Sequence, residues 1–301
     1  MRQSPSTRVW FIICYLAISA STASASNTEK AIKSLETTLE RKFNQLIAVV
    51  NATAHETSNR GPGTSGFRTC KEIYNNHKAR GNRAYLLQMQ SGKVLVYCHM
   101  TSIGLGACGG GGWTLVMKTD GHKPTFHFSS KLWSNKVNFN LPGGKTGIDA
   151  HETKLPTYWN TPFSKICLGM KIGHQKKFVV LFKQANSLHS LISDGLYRPT
   201  SLGRNKWKSL IGSVASLQPN CNQEGFNTKW SYSNPAYALR AARIGMLGNN
   251  ENDCVTCDSR IGFGTGGGPD DANTCGNEAS AANGADNGDK HIKAMGYIFV
   301  Q

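Results

Sequence analysis

The hydrophobic pattern of the first residues is that of a secretion signal. Residues 9–20 form an apolar run, VWFIICYLAISA, which follows the basic residues Arg2 and Arg8 and precedes the small residues STASAS. This order predicts a secretory signal peptide over residues 1–25, with cleavage after Ala25. The run is shorter than the roughly 20 residues that a membrane-spanning helix needs, so we expect no membrane span and a secreted, extracellular chain.

The next region has the periodicity of a helix. Residues 26–56 are rich in Ala, Leu, Glu and Lys, and their apolar positions alternate in steps of three and four. This spacing predicts an amphipathic helix, which either forms a short homo-oligomeric coiled coil or packs on its own domain. Residues 57–69 contain Gly, Pro and Ser without periodicity and are expected to form a linker. The apolar positions are Ile32, Leu35, Leu39, Phe43, Leu46 and Val49.

From Cys70 onward the pattern changes to short runs rich in β-branched and aromatic residues. SGKVLVYC, WTLVMKT, ICLGMKI, KKFVVLF and MGYIFVQ are each bounded by glycine or charge, as strands are. KLWSNKV and RNKWKSLIGSVASL allow helical turns. Residues 70–301 are therefore predicted to form an α+β domain with mixed sheets and long loops.

The cysteines suggest that this domain is held by disulfides. Of the nine cysteines, Cys14 lies in the signal peptide, which leaves eight. An even number in an oxidising compartment predicts up to four disulfides and no free thiol. The alternative is a zinc site at Cys254 and Cys257 with Cys275, and with His291 as an optional fourth ligand, although one C-x-x-C is a weak pattern. The Asn51-Ala52-Thr53 sequon is a candidate glycosylation site.

Charge is strongly segregated along the chain. The formal net charge is +16, but residues 70–248 hold 23 Lys and Arg against 6 Asp and Glu, a net of +17. Residues 249–290 hold 2 against 8, a net of −6. In a secreted chain a basic body favours acidic or sulfated extracellular polymers over nucleic acid, although it can equally be a solvated face without a partner. The densest clusters supply the candidate polyanion-binding residues Lys176, Lys177, Arg204, Lys206 and Lys208.

The acidic segment carries the pattern of a calcium site. Carboxylates and an amide alternate with glycines in residues 251–278, and calcium binds six to eight oxygen ligands on flexible loops. The spacing is not that of an EF-hand, and a solvated acidic loop is the alternative. The candidate calcium ligands are Asp253, Asp258, Asp270, Asp271, Asn273 and Glu278.

Patterns of nucleotide binding and hydrolysis are absent from the sequence. The glycines of CGGGGWTLVMKTDG lead into a strand, whereas a dinucleotide loop opens a helix, and FNLPGGKT lacks the first glycine of a phosphate loop. H-E-x-x-H and G-x-S-x-G do not occur. We therefore expect a protein that is not an enzyme. We expect the glycines before Trp113 to let a neighbouring backbone approach closely, beside a Trp113 indole that anchors the core.

Several of these motifs together resemble the fibrinogen C-terminal-like domain. They are Cys70-Lys71-Glu72-Ile73, SGKVLVYCHMTS with Cys98, GGGGWTLVMKTDG, and the closing strand KAMGYIFVQ. CVTCDSRIGFGTGGGPDDANTCGNE is similar to the calcium region of intelectins, which are calcium-dependent lectins. The chain also resembles secreted fibrinogen-like proteins of corals, including those of the skeletal organic matrix.

The resemblance implies a fibrinogen-like or intelectin-like fold over residues 70–301 and a disulfide between Cys70 and Cys98. It implies a secreted, calcium-binding extracellular matrix protein, associated with acidic polymers or a mineralised skeleton. The alternative is a calcium-dependent lectin of the intelectin or ficolin type that binds glycans. Residues 258–294 contain no Trp or Tyr to stack on a sugar, which favours the matrix protein.

Overall fold

The computed structural model describes residues 32–43, 45, 66–76, 80–230 and 240–301. The chain divides into two compact units, Met1–Pro62 and Gly63–Gln301, and each is described by itself. The predicted signal peptide, Asn51 and most of the linker lie outside the described residues. No helix in the described ranges is both long enough and apolar enough to cross a bilayer.

The described part of the first unit is a helix, α1 (residues 32–43), which lies within the range that the heptad pattern predicts. Four of the apolar residues that predicted this helix have side chains between 52% and 73% exposed. They are Ile32, Leu35, Leu39 and Phe43. Leu46 and Val49 lie outside the described residues.

The second unit contains two antiparallel sheets. The first has seven strands. Six of them follow the order β1-β2-β3-β13-β5-β6, and the seventh, β4, also pairs with β3. Its strands are β1 (Arg83–Met89), β2 (Gly92–His99), β3 (Trp113–Asp120), β4 (Thr153–Lys154), β5 (Phe163–Ile172), β6 (Gln175–Ala185) and β13 (Met295–Val300).

The second sheet has six strands in the order β12-β11-β10-β9-β8-β7. They are β7 (Arg198–Pro199), β8 (Asn220–Trp230), β9 (Arg240–Asn249), β10 (Ser259–Gly267), β11 (Cys275–Ala279) and β12 (Lys290–Lys293). The expectation of mixed sheets is wrong, because every pairing between the described strands is antiparallel. Tight hairpins join β1 to β2 and β5 to β6, and β13 runs antiparallel to both of its neighbours, β3 and β5.

Short helices connect the strands, and the helix positions that the sequence suggested are both occupied. KLWSNKV contains a 3₁₀ turn at Lys131–Trp133, and RNKWKSLI forms α5. The α-helices of this unit are α2 (Cys70–Asn75), α3 (Thr157–Asn160), α4 (Leu188–Ile192) and α5 (Arg204–Ile211), and the other 3₁₀ turns are Gly106–Cys108, Pro124–Phe126, Leu141–Lys145 and Ala281–Asn283.

The glycine run brings two backbones together at the start of β3. A side-chain carbon built on Gly111 would lie 2.1 Å from the Met100 carbonyl oxygen, and Gly112 has φ +87°. Trp113 follows with 1% exposure, and its indole nitrogen donates to the Gly109 carbonyl at 2.8 Å. The run is therefore a tightly packed entry to a buried strand, as the sequence indicated.

Among the described residues there are three disulfides and two free, buried cysteines, Cys257 and Cys275. The expectation that no thiol is free is wrong. Cys257 and Cys275 lie in different surroundings and do not form a disulfide with each other. Cys275 packs in the sheet against Gly296, whereas Cys257 lies beside a disulfide that is already formed. The pairs are Cys70–Cys98, which the resemblance implied, Cys108–Cys167 and Cys221–Cys254.

Replacing Trp113 tests whether the buried indole stabilises the domain. We expect Trp113→Ala to lower the free energy of unfolding by about 3–5 kcal/mol, because it leaves a cavity and an unpaired carbonyl. Chemical denaturation of the purified protein measures this loss. Phe182→Ala is the control, since the Phe182 ring is 71% exposed and its removal should cost far less. Equal stability of the two variants would contradict a buried anchor at Trp113.

Candidate functional site

The two basic clusters of the sequence lie side by side in the structure. One is the turn of the β5–β6 hairpin, where Lys171 is directly opposite Lys176. The other is α5, which buries Trp207 and turns its basic residues away from the core. The end of α5 meets the hairpin at Lys177, since a side-chain carbon built on Gly212 would lie 2.9 Å from Lys177 Nζ.

We call this surface the basic face. Among the described residues its hairpin lysines and Lys206 make no ion pair, and Lys176 and Lys206 are exposed. These ammonium groups are therefore available to an external anion. The basic face comprises Lys171, Lys176, Lys177, Lys206 and Lys208.

Arg204, which the sequence suggested as a polyanion-binding residue, has a different position. Its guanidinium pairs with Asp286 at 2.8 Å and donates to the Leu217 carbonyl at 2.8 Å and to Asn222 Oδ1 at 3.0 Å. Lys208 shares the same carboxylate at 2.7 Å. The structure thus places Arg204 in a network that fixes the loops beside α5.

The glycine-rich acidic loop between β10 and β11 surrounds a buried arginine. Arg260 is 1% exposed, and its guanidinium donates to the carbonyl of Gly268 and, at 2.6 Å, to that of Asp270. Burial lowers the pKa of Arg260 to about 10, so the group is charged at neutral pH. The loop turns its carbonyls inward, as a calcium loop does, but toward a cation that the chain itself supplies.

The loop carboxylates Asp270 and Asp271 also have basic partners. Asp270 lies 3.3 Å from Lys293 Nζ, and Asp271 lies 2.9 Å from His127 Nε2. Although burial raises the pKa of Asp271, hydrogen bonds from the Gly267 N–H and His127 lower it overall. These two carboxylates are therefore held in their charged form without a metal ion.

The structure brings together Asn273 and Glu278. The Asn273 amide nitrogen donates to Glu278 Oε1 at 2.5 Å, and the other oxygen of Glu278 is 2.6 Å from His291 Nδ1. Burial raises the pKa of Glu278. Asn273 Oδ1 is buried and has no hydrogen-bond partner among the described residues.

The remaining predicted ligands, Asp253 and Asp258, lie in another loop, between β9 and β10. Asp253 accepts from the Val255 N–H at 2.7 Å, and Asp258 is 3.1 Å from Arg240. The six predicted ligands therefore do not form one cluster. Over the described ranges, one group of three or more metal-binding side chains has its donor atoms within 4.8 Å, and it is Cys221, Cys254 and Cys257. Cys275, the third ligand of the zinc alternative, is not in it, and neither is His291, its optional fourth ligand.

Comparisons with known proteins do not identify the chain: no protein-family model matches it, and neither does any curated protein. The fibrinogen-like interpretation therefore depends on the motifs of the sequence.

Sequence reasoning missed the role of Arg260 and the grouping of Cys221 with Cys254 and Cys257. The available sign of the role of Arg260 was its position as a single arginine near the start of an otherwise acidic, glycine-rich segment. The cysteine group could not be found from spacing, because Cys221 is 33 residues from Cys254 in the chain.

Replacing Arg260 tests whether an internal cation organises the acidic loop. We expect Arg260→Met to reduce the free energy of unfolding by about 1–3 kcal/mol for each buried carbonyl that loses its donor. Lys293→Met is the matched control. Its side chain is 24% exposed and makes one ion pair, so its loss should cost less than about 1 kcal/mol. Chemical denaturation measures both variants, and an Arg260 variant no less stable than the control would refute this role.

Proposed function

We propose that the protein is a secreted extracellular matrix protein with a fibrinogen C-terminal-like domain, which binds acidic or sulfated polymers through the basic face. The observation that carries this proposal is the meeting of two basic segments from distant parts of the sequence. The β5–β6 hairpin and α5 contribute lysines to one surface, and Lys171, Lys176, Lys177 and Lys206 have no ion-pair partner among the described residues.

The register of the hairpin supports an anionic ligand. Lys171 and Lys176 are cross-strand partners, and like charges directly opposite each other destabilise a sheet. A polyanion that contacts both ammonium groups relieves this repulsion and gains two favourable contacts. Antiparallel strands lie about 4.7–4.9 Å apart, so sulfates or carboxylates repeated along a polymer can reach neighbouring lysines.

The neutralised acidic loop supports the same function. Because Arg260, Lys293 and His127 contact its carbonyls and carboxylates, the loop adds little negative field to oppose the basic body. A surface of one sign attracts oppositely charged polymers and speeds their association. In the extracellular space, such polymers are sulfated or carboxylated glycans and acidic matrix proteins. The exposed apolar positions of α1 fit a homo-oligomer, which would add avidity on a repetitive polymer.

Removing charges from the basic face tests the function. We expect Lys176→Gln, Lys177→Gln and Lys206→Gln together to weaken heparin binding about threefold to a hundredfold, taking about 0.2–1 kcal/mol for each exposed contact. Isothermal titration calorimetry measures the affinity, and a rise in salt concentration should reduce the difference between wild type and variant. Heparin is used as a sulfated model polymer.

The control removes the same charge elsewhere, with Lys93→Gln, Lys131→Gln and Lys136→Gln, at exposed positions outside the basic face. It should bind heparin nearly as well as wild type. An equal loss in both triple variants would show a response to net charge alone and contradict a dedicated face. Glycan binding that EDTA abolishes and the basic-face variant retains would favour the lectin.

Calcium is a second part of the proposal, supported by the buried, unpartnered Asn273 Oδ1 beside the Glu278 carboxylate. An ion that also binds Asp270 and Asp271 must displace Lys293 and His127. We expect millimolar calcium to raise the melting temperature through about 0.4–1.4 kcal/mol of binding energy, as for extracellular sites of Kd near 10⁻³ to 10⁻⁴ M.

The double variant Asp270→Asn, Asp271→Asn should lose this rise, and magnesium should substitute poorly because it demands tighter octahedral geometry. Differential scanning fluorimetry in calcium and in EDTA measures it. Identical melting of the wild type in both conditions would mean that Arg260 and the neighbouring basic side chains leave no place for the ion.

A further inference from the structure

Three cysteines meet at the end of the second sheet, where β8 begins and the β9–β10 loop passes. Cys221 and Cys254 form a disulfide, and the free Cys257 Sγ lies 3.5 Å from Cys221 Sγ. We propose that this group is a thiol–disulfide exchange site, in which Cys257 displaces Cys254 from Cys221 and makes Cys254 an accessible, modifiable thiol. This inference is independent of the proposed matrix function.

The fold brings Cys221 to this position through an irregularity in β8. The pairing of β8 with β9 passes from Asn220–Asn249 to Gln223–Leu247, so that Cys221 and Asn222 bulge from the ladder. Both have positive φ, 60° and 53°, which is uncommon for residues other than glycine. The bulge turns Cys221 out of the sheet, toward the loop that carries the other two cysteines.

The exchange balances without an external oxidant or reductant. Cys257 loses its proton to solvent, and its thiolate attacks Cys221 Sγ. The Cys257–Cys221 bond forms as the Cys221–Cys254 bond breaks, and the electron pair passes to Cys254 Sγ, which takes up a proton. The three sulfurs lie within 4.8 Å of one another, so Cys257 must rotate from its position at the side of the bond to attack in line with it.

Exchange moves the free thiol from the interior to the surface. Cys257 is fully buried, whereas Cys254 is partly exposed and lies in a loop whose residues Glu251, Asn252 and Asp253 are exposed. A thiol at Cys254 can be alkylated or can attack an external disulfide, forming a mixed disulfide and releasing the other thiol. The ligand class of the site is therefore a small electrophile or disulfide.

The surroundings of Cys257 set the rate. Burial and, to a lesser extent, the carboxylates of Asp258 and Asp253 raise the pKa of Cys257 to about 12, and the guanidinium of Arg240 opposes them. Because the thiolate is the attacking species, exchange should be slow at neutral pH. Its rate should rise about tenfold for each unit of increase in pH until the pH approaches that pKa.

Trapping with iodoacetamide tests the site in the full-length secreted protein. The native protein is alkylated without reductant over a pH series, quenched in acid, digested under non-reducing conditions and mapped by mass spectrometry. We expect the label on Cys254, together with a Cys221–Cys257 disulfide, at a rate that rises with pH. Glutathione disulfide should place one glutathione on the same residue.

Cys257→Ser is the matched variant, since it removes the attacking sulfur and keeps the Cys221–Cys254 disulfide; Cys257→Ala serves if the serine variant is not secreted. Either should leave Cys254 unlabelled. Cys275 is the internal control, because it is equally buried but lies beside no disulfide of the described ranges, and it should react only after unfolding.

Three results would overturn the proposal. One is labelling of Cys257 alone, with the Cys221–Cys254 disulfide intact. Another is labelling of Cys254 that persists in the Cys257 variants. The third is stoichiometric zinc in the purified protein with three reduced cysteines in this group, which would make it a metal site.

Discussion

The insertion of β13 between β3 and β5 is the constraint on which the second unit depends. All six residues of this strand are buried, and it pairs along both edges. Gly296 brings the two sheets together, because a side-chain carbon there would lie 2.7 Å from Cys275 Sγ and 2.7 Å from the Phe263 ring. Gln301 then donates to the Gly111 carbonyl at 2.8 Å. β13 and the Gln301 side chain thus hold β3 and the glycine run that precedes it in place.

The segregation of charge acquires a structural meaning from this arrangement. The acidic, glycine-rich segment lies in the second sheet, where Arg260 and neighbouring cations neutralise it locally. The basic face belongs to a hairpin of the first sheet and to α5, where every lysine except Lys208 is without a carboxylate partner among the described residues. Asp286 of the acidic segment pairs with Arg204 and Lys208 of α5, so the charge left for an external anion is that of the hairpin lysines and Lys206.

The sequence was sufficient wherever a feature is local. Glycines before Trp113, the strand that follows and α5 depend on neighbouring residues, and each was predicted from its own segment. Features formed by contact between distant segments could not be predicted. Three such features are the contact between Lys177 and Gly212, the enclosure of Arg260 by carbonyls and the position of Cys221. Each depends on how separate segments of the chain pack or pair with one another. The candidate calcium ligands show the same limit, because their spacing in the chain did not reveal that they lie in separate places, where Asp258, Asp270 and Asp271 contact basic side chains and Asn273 contacts Glu278.

The bulge at Cys221 links the cysteine group to the basic helix. Two successive residues in the left-handed region are unfavourable, and such a conformation persists only where surrounding contacts fix it. The disulfide to Cys254 fixes one residue of the bulge, and Arg204 of α5 fixes the other through Asn222. Arg204 in turn shares Asp286 with Lys208 of the basic face. The same arginine therefore supports both the surface that we assign to polymers and the backbone that holds Cys221 beside Cys257, so the two sites share one physical support while their chemistry remains separate.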